Sequence, residues 1–278
     1  VERRLALIKQ VNKSGKSDVE LRRQLISEFS LKGESRLKEM LKKPIKEILY
    51  FKNDAAGGIY IVTTKSGEKY VVKRELSAIN HIKANKIAQI LGINVPEMIM
   101  VDPSQLSDPE LFPPQGDKTL EEGQFDYLVM EYIPSVNLSE AIIPLMFCDA
   151  AIVQSVRVFI LDVLINNYDR YVYIVDVECN QNVNDGNLIY NKATNQVFAI
   201  DHEISSQTME IYDKIRRELF SGEPISAKTS ELLGCGLSSY GIKNCKNMEL
   251  VLSTARATIK RIQDHAVDIK DIWPDAPV

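Results

Sequence analysis

Four polar side chains of the types used in phosphoryl transfer flank apolar runs of this sequence: Lys73 in YVVKRE, Asp169 in NNYDR, Asn187 in GNLIY and Asp201 in VFAIDHE. Phosphoryl transfer needs a cation on the phosphate oxygens, one or two metal ligands and a carboxylate that positions the attacking hydroxyl. Any one of the Asn and Asp residues is more simply explained as a helix cap or turn residue. All four in this order favour phosphoryl transfer.

Asn187 and Asp201 are the predicted metal ligands. The segments NLIY and VFAI have the composition of short strands, and the stretch NKATNQ between them is typical of a turn, so a hairpin would bring the two residues together. An amide oxygen and a carboxylate are hard donors suited to Mg²⁺, which takes few protein ligands. Asn182 and Asn184 lie in the same polar stretch and remain alternative ligands.

Ala56, Gly57 and Gly58 form the candidate phosphate cradle, because adjacent glycines let backbone N–H groups approach phosphate without a Cβ in the way. A plain turn is the alternative, since glycines punctuate hairpins whether or not a ligand binds there. Lys73 closes the next strand and is expected to point toward the phosphates. The alternative for Lys73 is a strand lysine whose ammonium group lies in water.

Composition narrows the class of protein. The chain has 278 residues, 45% of them hydrophobic, and 34 Lys and Arg against 38 Asp and Glu give a net charge of -4. This balance argues weakly against nucleic acid as a partner. No apolar stretch approaches the roughly 20 residues that span a bilayer, so no integral membrane association is expected. The four cysteines are widely spread, which predicts reduced thiols and a cytoplasmic protein rather than a disulfide framework or zinc site: Cys148, Cys179, Cys235 and Cys245.

The elements that must position these residues change in type along the chain. Residues 1–45 are charged and helical in character, and residues 57–75 are two β-rich runs joined by a turn at Ser66-Gly67. A helix over about residues 79–91 and strands at 95–102 and 125–133 follow.

Beyond Pro134 the pattern becomes helical. Apolar residues at helical spacing mark one buried face between Ile152 and Val163 and another between Met248 and Ile262. We therefore predict a helical extension over residues 1–45, a β-rich nucleotide-binding part with a hinge over 46–133, and a helical part over 134–278.

At this point the residues resemble a known fold. VVK, VMEY, LDVLINNYDR, GNLIY and AIDHE resemble the atypical protein-kinase-like fold of the actin-fragmin kinase catalytic domain, bacterial HipA-type kinases and the phosphatidylinositol 3- and 4-kinases. The resemblance covers about residues 50–205 and is closest to actin-fragmin kinase. It implies an α+β class with a small β-rich N-lobe and a mainly helical C-lobe.

The resemblance also implies ATP and Mg²⁺ as ligands and a role for each candidate residue. Asp169 becomes the catalytic carboxylate, Lys73 pairs with the ATP phosphates, and Asn187 and Asp201 hold the metal. The hinge beside the adenine comprises Met130, Glu131 and Tyr132.

Two departures from the family pattern stand out. Residues 170–186 separate the catalytic Asp from the metal-binding Asn, which in most relatives lie a few residues apart. Residues 79–91 contain no acid to pair with Lys73, and His81 stands at roughly that place. Glu75 is a candidate substitute, because two positions along a strand put it on the same face as Lys73.

The function that follows is an ATP- and Mg²⁺-dependent kinase acting on a Ser or Thr hydroxyl of a protein, with actin as the substrate suggested by the resemblance. A lipid kinase of the same fold should carry a basic surface after Asp201, but residues 203–218 mix acids and bases. A pseudokinase that serves as a binding module is the other alternative, supported by the missing helix acid.

Overall fold

The computed structural model describes residues 36–51, 58–75, 78–102, 105–106, 112, 126–137, 149–167, 187–205, 210–221, 226, 229 and 248–278. These residues fall into two compact units. The first lies within Val1–Ile82 and Glu97–Tyr132, and the second within Lys83–Pro96 and Ile133–Val278.

The first unit is built on a five-stranded antiparallel sheet of order β1-β2-β3-β5-β4. The predicted hairpin is confirmed as β2 and β3, and its turn contains Gly67 with a φ of 87°, a left-handed conformation that glycine adopts without strain. Strand β1 was not predicted, because its sequence IKEILYF mixes charge with apolar residues at the end of the presumed extension. The elements of the first part of the chain are α1 (Arg36–Leu41), β1 (Ile45–Phe51), β2 (Ile59–Thr64), β3 (Lys69–Glu75), α2 (Ala78–Ile90), β4 (Met98–Val101) and β5 (Asp126–Glu131).

Successive side chains of a strand point to opposite faces, so the sheet has two distinct surfaces. On one face, Val129 of β5 shares a hydrophobic cluster with Leu37 of α1. The neighbouring Leu128 belongs to a different cluster, together with Ile82 at the start of α2. Helices α1 and α2 therefore cover opposite faces of the sheet.

The second unit is mainly helical and carries a small sheet of order β6-β7-β8. Helix α3 runs through its core, because almost every residue from Ser155 to Ile165 is buried, and it packs against α5. The end of α2, from Lys83 onward, belongs to this unit. The remaining elements are β6 (Val136–Asn137), α3 (Asp149–Ile165), β7 (Leu188–Asn191), β8 (Gln196–Ala199), α4 (Glu210–Phe220), α5 (Met248–Asp264) and α6 (Ala266–Ile272).

The predicted apolar faces of α3 and α5 are largely confirmed, but Met248 at the first turn of α5 is 39% exposed rather than buried. Helix α4 was not predicted, because the apolar residues of its sequence EIYDKIRRELF, although at helical spacing, are separated by six charged residues. None of the helices among the described residues is long and apolar enough to cross a bilayer. The α+β class is confirmed, with strands dominating the first unit and helices the second.

Candidate functional site

Lys73 is a buried cation with an acidic partner on its own strand. Its side chain lies on the face of the sheet that bears Leu128, and the residue is only 8% exposed. The ammonium group forms an ion pair with the Glu75 carboxylate, and His81 Nε2 of α2 lies 3.8 Å from the same carboxylate oxygen. The expectation that Glu75 shares a face with Lys73 is confirmed, and Glu75 supplies the carboxylate that α2 lacks.

The next residue, Arg74, points to the opposite face and has a different environment. Its guanidinium lies 5.7 Å from the centroid of the Tyr127 ring. On the same face, burial raises the pKa of Tyr70 to about 12, and burial is also the largest cause of the raised pKa of Tyr60. These phenols stay protonated at neutral pH, so they pack as neutral groups and cannot act as bases.

Gly58 is the described residue of the predicted phosphate cradle. It lies between β1 and β2 with a φ of 75°, in the left-handed region that favours glycine. A Cβ at this position would be 2.8 Å from Cε2 of Tyr50, so another side chain would need both a strained backbone and a displaced ring. Ala56 and Gly57 lie outside the described residues.

Glu131, at the end of β5, uses its polar groups within the sheet. Its backbone N–H donates to the Glu97 carbonyl at 2.8 Å, and its carboxylate accepts from the Glu97 N–H at 3.4 Å. Arg36 of α1 lies 3.9 Å from the other carboxylate oxygen. Glu131 therefore uses both its backbone N–H and its carboxylate for contacts within the first unit.

The two neighbours of Glu131 differ in exposure and contacts. Met130 is partly buried against the cluster that contains Leu128 and Ile82. The Tyr132 ring, just past β5, lies 5.4 Å from the Lys69 ammonium. Met130 and Glu131 are therefore the last two residues of β5, the strand that pairs with β3, and Tyr132 follows it.

The β7–β8 hairpin brings the two predicted metal ligands to the same end of the small sheet. Leu188 pairs with Ala199, and the Asn187 carbonyl accepts from the Ile200 N–H at 3.1 Å. Asp201 does not end a strand as predicted, because β8, the strand that Asp201 was expected to end from the pattern VFAID, stops at Ala199, and Asp201 has a φ of 54°, which is incompatible with extended backbone.

The donor set of this hairpin suits a hard divalent cation. Asn187 is 5% exposed, and Asp201 is half-buried. An amide and a carboxylate oxygen held at one hairpin end match the few protein ligands that Mg²⁺ takes. Asn182 and Asn184 lie outside the described residues, so the choice between them and Asn187 stays a prediction.

Asp169 also lies outside the described residues, but the structure describes the segment that leads to it. Helix α3 ends at Ile165. Asn166 then takes the left-handed conformation with a φ of 57°, and the Asn167 N–H donates to the Asp162 carbonyl at 2.9 Å. Two residues beyond Asn167, the chain reaches Asp169.

Sequence reasoning missed three residues that contact this helix end: Asp162, Tyr212 and Arg216. A signal for the first was present, because Asp162 is the one acid inside the apolar run FILDVLI. Tyr212 and Arg216 could not be assigned without recognising α4, where they are one turn apart on the same face.

Comparison with known proteins gives a family. The model of the HipA-like kinase family matches residues 45–229, which is well over half of the chain. The match includes all the candidate site residues. No match was found among curated proteins.

Solved kinase structures resemble the chain only distantly. The kinase domain of Mycobacterium tuberculosis PknI has a TM-score of 0.34 and 10% identity, covering 77% of this chain and 93% of that one. Amicoumacin kinase hAmiN, in complex with AMP-PNP, Ca²⁺ and Ami, has a TM-score of 0.34 and 12% identity, covering 90% and 94%. The Golgi casein kinase with Mn and ADP bound has a TM-score of 0.39 and 10% identity, covering 91% and 78%. Scores this low say nothing about what this chain phosphorylates.

Proposed function

Because the chain belongs to the HipA-like kinase family and has a protein-kinase-like α+β fold, we propose that it transfers the γ-phosphoryl group of ATP to a Ser or Thr hydroxyl of a protein. The proposed roles are those that the sequence suggested. Lys73 pairs with the phosphates, Asp169 orients the hydroxyl, and Asn187 and Asp201 hold the divalent cation.

In the proposed reaction, the substrate hydroxyl oxygen forms a bond to the γ-phosphorus. The bond from that phosphorus to the bridging oxygen breaks, and its electron pair stays on ADP. The Asp169 carboxylate accepts a hydrogen bond from the hydroxyl and takes its proton, which then passes to solvent. Such catalysis relies on positioning and charge neutralisation more than on covalent chemistry.

Mg²⁺ is the proposed cation, and its chemistry when bound is to neutralise charge on the phosphate oxygens. Asn187 and Asp201 would contribute the two protein oxygen donors to this cation, at the end of the β7–β8 hairpin. Asn187 is fixed there by its backbone bond to Ile200, so its amide is carried by a paired element rather than by an exposed loop.

The observation that carries the proposal is the Lys73–Glu75 ion pair. Lysine is almost never fully buried unless paired, and here the side chains of Lys73 and Glu75 are only 11% and 18% exposed. A lysine used only for packing would leave its ammonium group in water. A sequestered ammonium held by a carboxylate is the arrangement that a kinase uses to place a cation on the phosphates.

The same pair weakens the pseudokinase alternative, whose best support was the absence of an acid on α2. The lipid-kinase alternative gains nothing from α4, the helix after Asp201. Of its three bases, Arg216 is buried and paired with Asp213 rather than displayed on a basic surface. Actin is the protein substrate to test first, since the motifs quoted from the sequence resemble those of the actin-fragmin kinase catalytic domain.

The test incubates the full chain with labelled ATP and Mg²⁺ together with actin, a generic protein substrate or phosphoinositide vesicles. Asp169→Asn and Asp201→Asn are compared with Asp264→Asn, an exposed aspartate of α5 that pairs with Lys260. We expect transfer to protein, its loss in the first two variants and its retention in the third.

Three results would contradict the proposal in different ways. Transfer that survives Asp169→Asn and Asp201→Asn overturns the site. Transfer to vesicles alone overturns the substrate class. Absence of transfer to any acceptor, including the chain itself, overturns the activity.

A further inference from the structure

The carboxyl end of α3 is held by an acid buried in the helix itself. The Asn167 N–H donates to the Asp162 carbonyl at 2.9 Å, and Asn167 Nδ2 donates to Asp162 Oδ1, also at 2.9 Å. The backbone bond joins residues five apart across a left-handed Asn166, which is the 6→1 bond of a Schellman helix end. Asp162 therefore fixes both the backbone and the side chain of Asn167.

Burial makes this arrangement unusual for a structural helix end. Asp162 is 0% exposed within a helix whose neighbouring residues are apolar. A buried carboxylate is unfavourable unless it is hydrogen bonded, and an apolar residue of similar size would often be at least as stable. A leucine in place of Asp162 could fill the same space, but it could not hold Asn167 in a defined position.

Helix α4 holds the same two asparagines from outside α3. Arg216 donates to Asn166 Oδ1 at 3.0 Å, and the Tyr212 hydroxyl donates to the Asn167 carbonyl at 3.4 Å. Both α4 residues are buried. Asp213, one turn before Arg216, pairs with its guanidinium, so the side chain that reaches Asn166 is itself held in place.

The segment after Asp201 also contacts the carboxyl end of α3. The Ser205 N–H donates to the Ile165 carbonyl at 3.0 Å, which satisfies an acceptor left open at the helix end. Three parts of the second unit therefore meet where α3 ends: α3 itself through Asp162, the segment after the β7–β8 hairpin through Ser205, and α4 through Arg216.

We propose that Asp162 and Arg216 are positioning residues for catalysis, which set the place of Asp169 by fixing Asn166 and Asn167 immediately before it. This inference rests on the proposed role of Asp169. It assigns neither residue a contact with substrate. Their effect should appear in the rate of transfer rather than in nucleotide binding.

The experiment compares Arg216→Met, which keeps the aliphatic length and loses the donors, with Arg217→Met. Arg217 is a matched control because it is the next residue of α4 and is exposed. Within the part of the chain that the structure describes, it donates only to the Asp213 carbonyl of its own helix. We expect Arg216→Met to lower kcat roughly ten-fold or more, since a misplacement of about 1 Å can cost on the order of 10²-fold. KM for ATP should stay within about two-fold, and Arg217→Met should match the parent in both constants.

Loss of folded protein would also lower the apparent kcat, so rates are divided by the nucleotide-binding stoichiometry from calorimetry, which counts native sites. Asn166→Gly provides a second route, because glycine keeps the left-handed backbone and removes the oxygen that Arg216 contacts. The double variant should be no slower than the slower single variant, since both changes remove the same contact.

Asp162→Leu is expected to slow transfer in the same way, and Asp162→Asn, which keeps an oxygen for Asn167 Nδ2, should retain more activity than Asp162→Leu. Normal kcat in Arg216→Met, or fully additive losses in the double variant, would overturn the inference. Asp169→Asn separates the two proposals. If it abolishes transfer while Arg216→Met does not, the inference alone fails; if it has no effect, the proposed function fails.

Discussion

Lys73 and Arg74 show how one position along a strand decides the role of a cation. Lys73 meets a carboxylate on the α2 side of the sheet, whereas Arg74 meets the Tyr127 ring on the other. Alternation along the strand separates them. The sequence was sufficient to place Lys73 and Glu75 on one face, because that inference needs only the period of a strand.

We expect Glu75→Gln to impair both stability and activity, because it removes the carboxylate charge that lies beside the buried Lys73 ammonium. The free energy of unfolding should fall by about 2 kcal/mol, and kcat/KM for ATP should fall about ten-fold, equivalent to about 1.4 kcal/mol. Urea denaturation and steady-state phosphotransfer measure the two effects.

Glu68→Gln is the matched control, since Glu68 lies immediately before the same strand and pairs with Lys43 at a more exposed position. It should change stability little and leave kcat/KM as in the parent. Unchanged kcat/KM in Glu75→Gln would show that Lys73 needs no acidic partner.

Residue-scale prediction failed where an interaction depends on a partner from another element. Asp162 is conspicuous in the sequence, but its bond to Asn167 depends on how the helix ends. The contact from Arg216 to Asn166 joins residues 50 positions apart. No local pattern encodes such a pair.

At the scale of elements, helices α2 and α3 end in the same way with different residues. Gly92 has a φ of 70°, its N–H donates to the Gln89 carbonyl, and the Ile93 N–H donates to the Ala88 carbonyl, both at 3.0 Å. These are the two bonds of a Schellman motif. Asn166 takes the position at α3 that Gly92 takes at α2.

An arginine approaches each of these helix ends. Arg157 donates to the Gly92 backbone carbonyl at 2.8 Å, whereas Arg216 donates to the side-chain Oδ1 of Asn166 at 3.0 Å. Burial, followed by the charge of Arg261, lowers the pKa of Arg157. A second guanidinium, that of Arg261, donates to the Ile90 carbonyl, so the end of α2 collects positive charge where its dipole is negative.

We expect Gly92→Ala to destabilise the protein by about 1–2 kcal/mol, the cost of a left-handed residue with a Cβ. Gly92→Asn should lose less than half as much, because asparagine tolerates this conformation. The added Cβ itself meets nothing closer than 3.4 Å, so crowding contributes little. Chemical denaturation of both variants measures the difference, and equal losses would rule out backbone conformation as the cause.

Elements with a clear period were predictable, and short or mixed ones were not. The hairpin β2–β3 and helices α3 and α5 follow from alternation and from 3.6-residue spacing. Strand β6 has two residues and no pattern to detect. Helix α4 is strongly charged, so the helical spacing of its apolar residues was not recognised.

At the scale of the whole molecule, the chain contains strand-rich and helix-rich units, and the candidate residues are divided between them. Lys73 and the hinge residues belong to the first, and the hairpin with Asn187 and Asp201 belongs to the second. The fold class and the family resemblance were predictable from ordered motifs. The predicted domain boundaries at residues 45 and 133 stay a prediction.

We expect a non-hydrolysable ATP analogue to stabilise the full chain, and to stabilise it further when Mg²⁺ is present. A ligand that binds only the native state at 100 times its Kd adds about 2.7 kcal/mol. Asp201→Asn should lose the increment from Mg²⁺ and keep the effect of the analogue alone. Lys73→Met should weaken both the stabilisation by the analogue alone and the increment from Mg²⁺. Asp264→Asn should weaken neither effect. Thermal melts measure the stability of each variant with and without the ligands. A Mg²⁺ increment that persists in Asp201→Asn would show that Asp201 is not a metal ligand.

The location of Glu75 has a consequence for control of the proposed activity. In protein kinases the acid that pairs with the strand lysine comes from a helix, so moving that helix separates the pair and switches the enzyme off. Here lysine and acid are two residues apart on β3, and a shift of α2 leaves the pair intact. Movement of α2 alone is therefore not expected to control the proposed activity by separating this pair, in contrast to protein kinases.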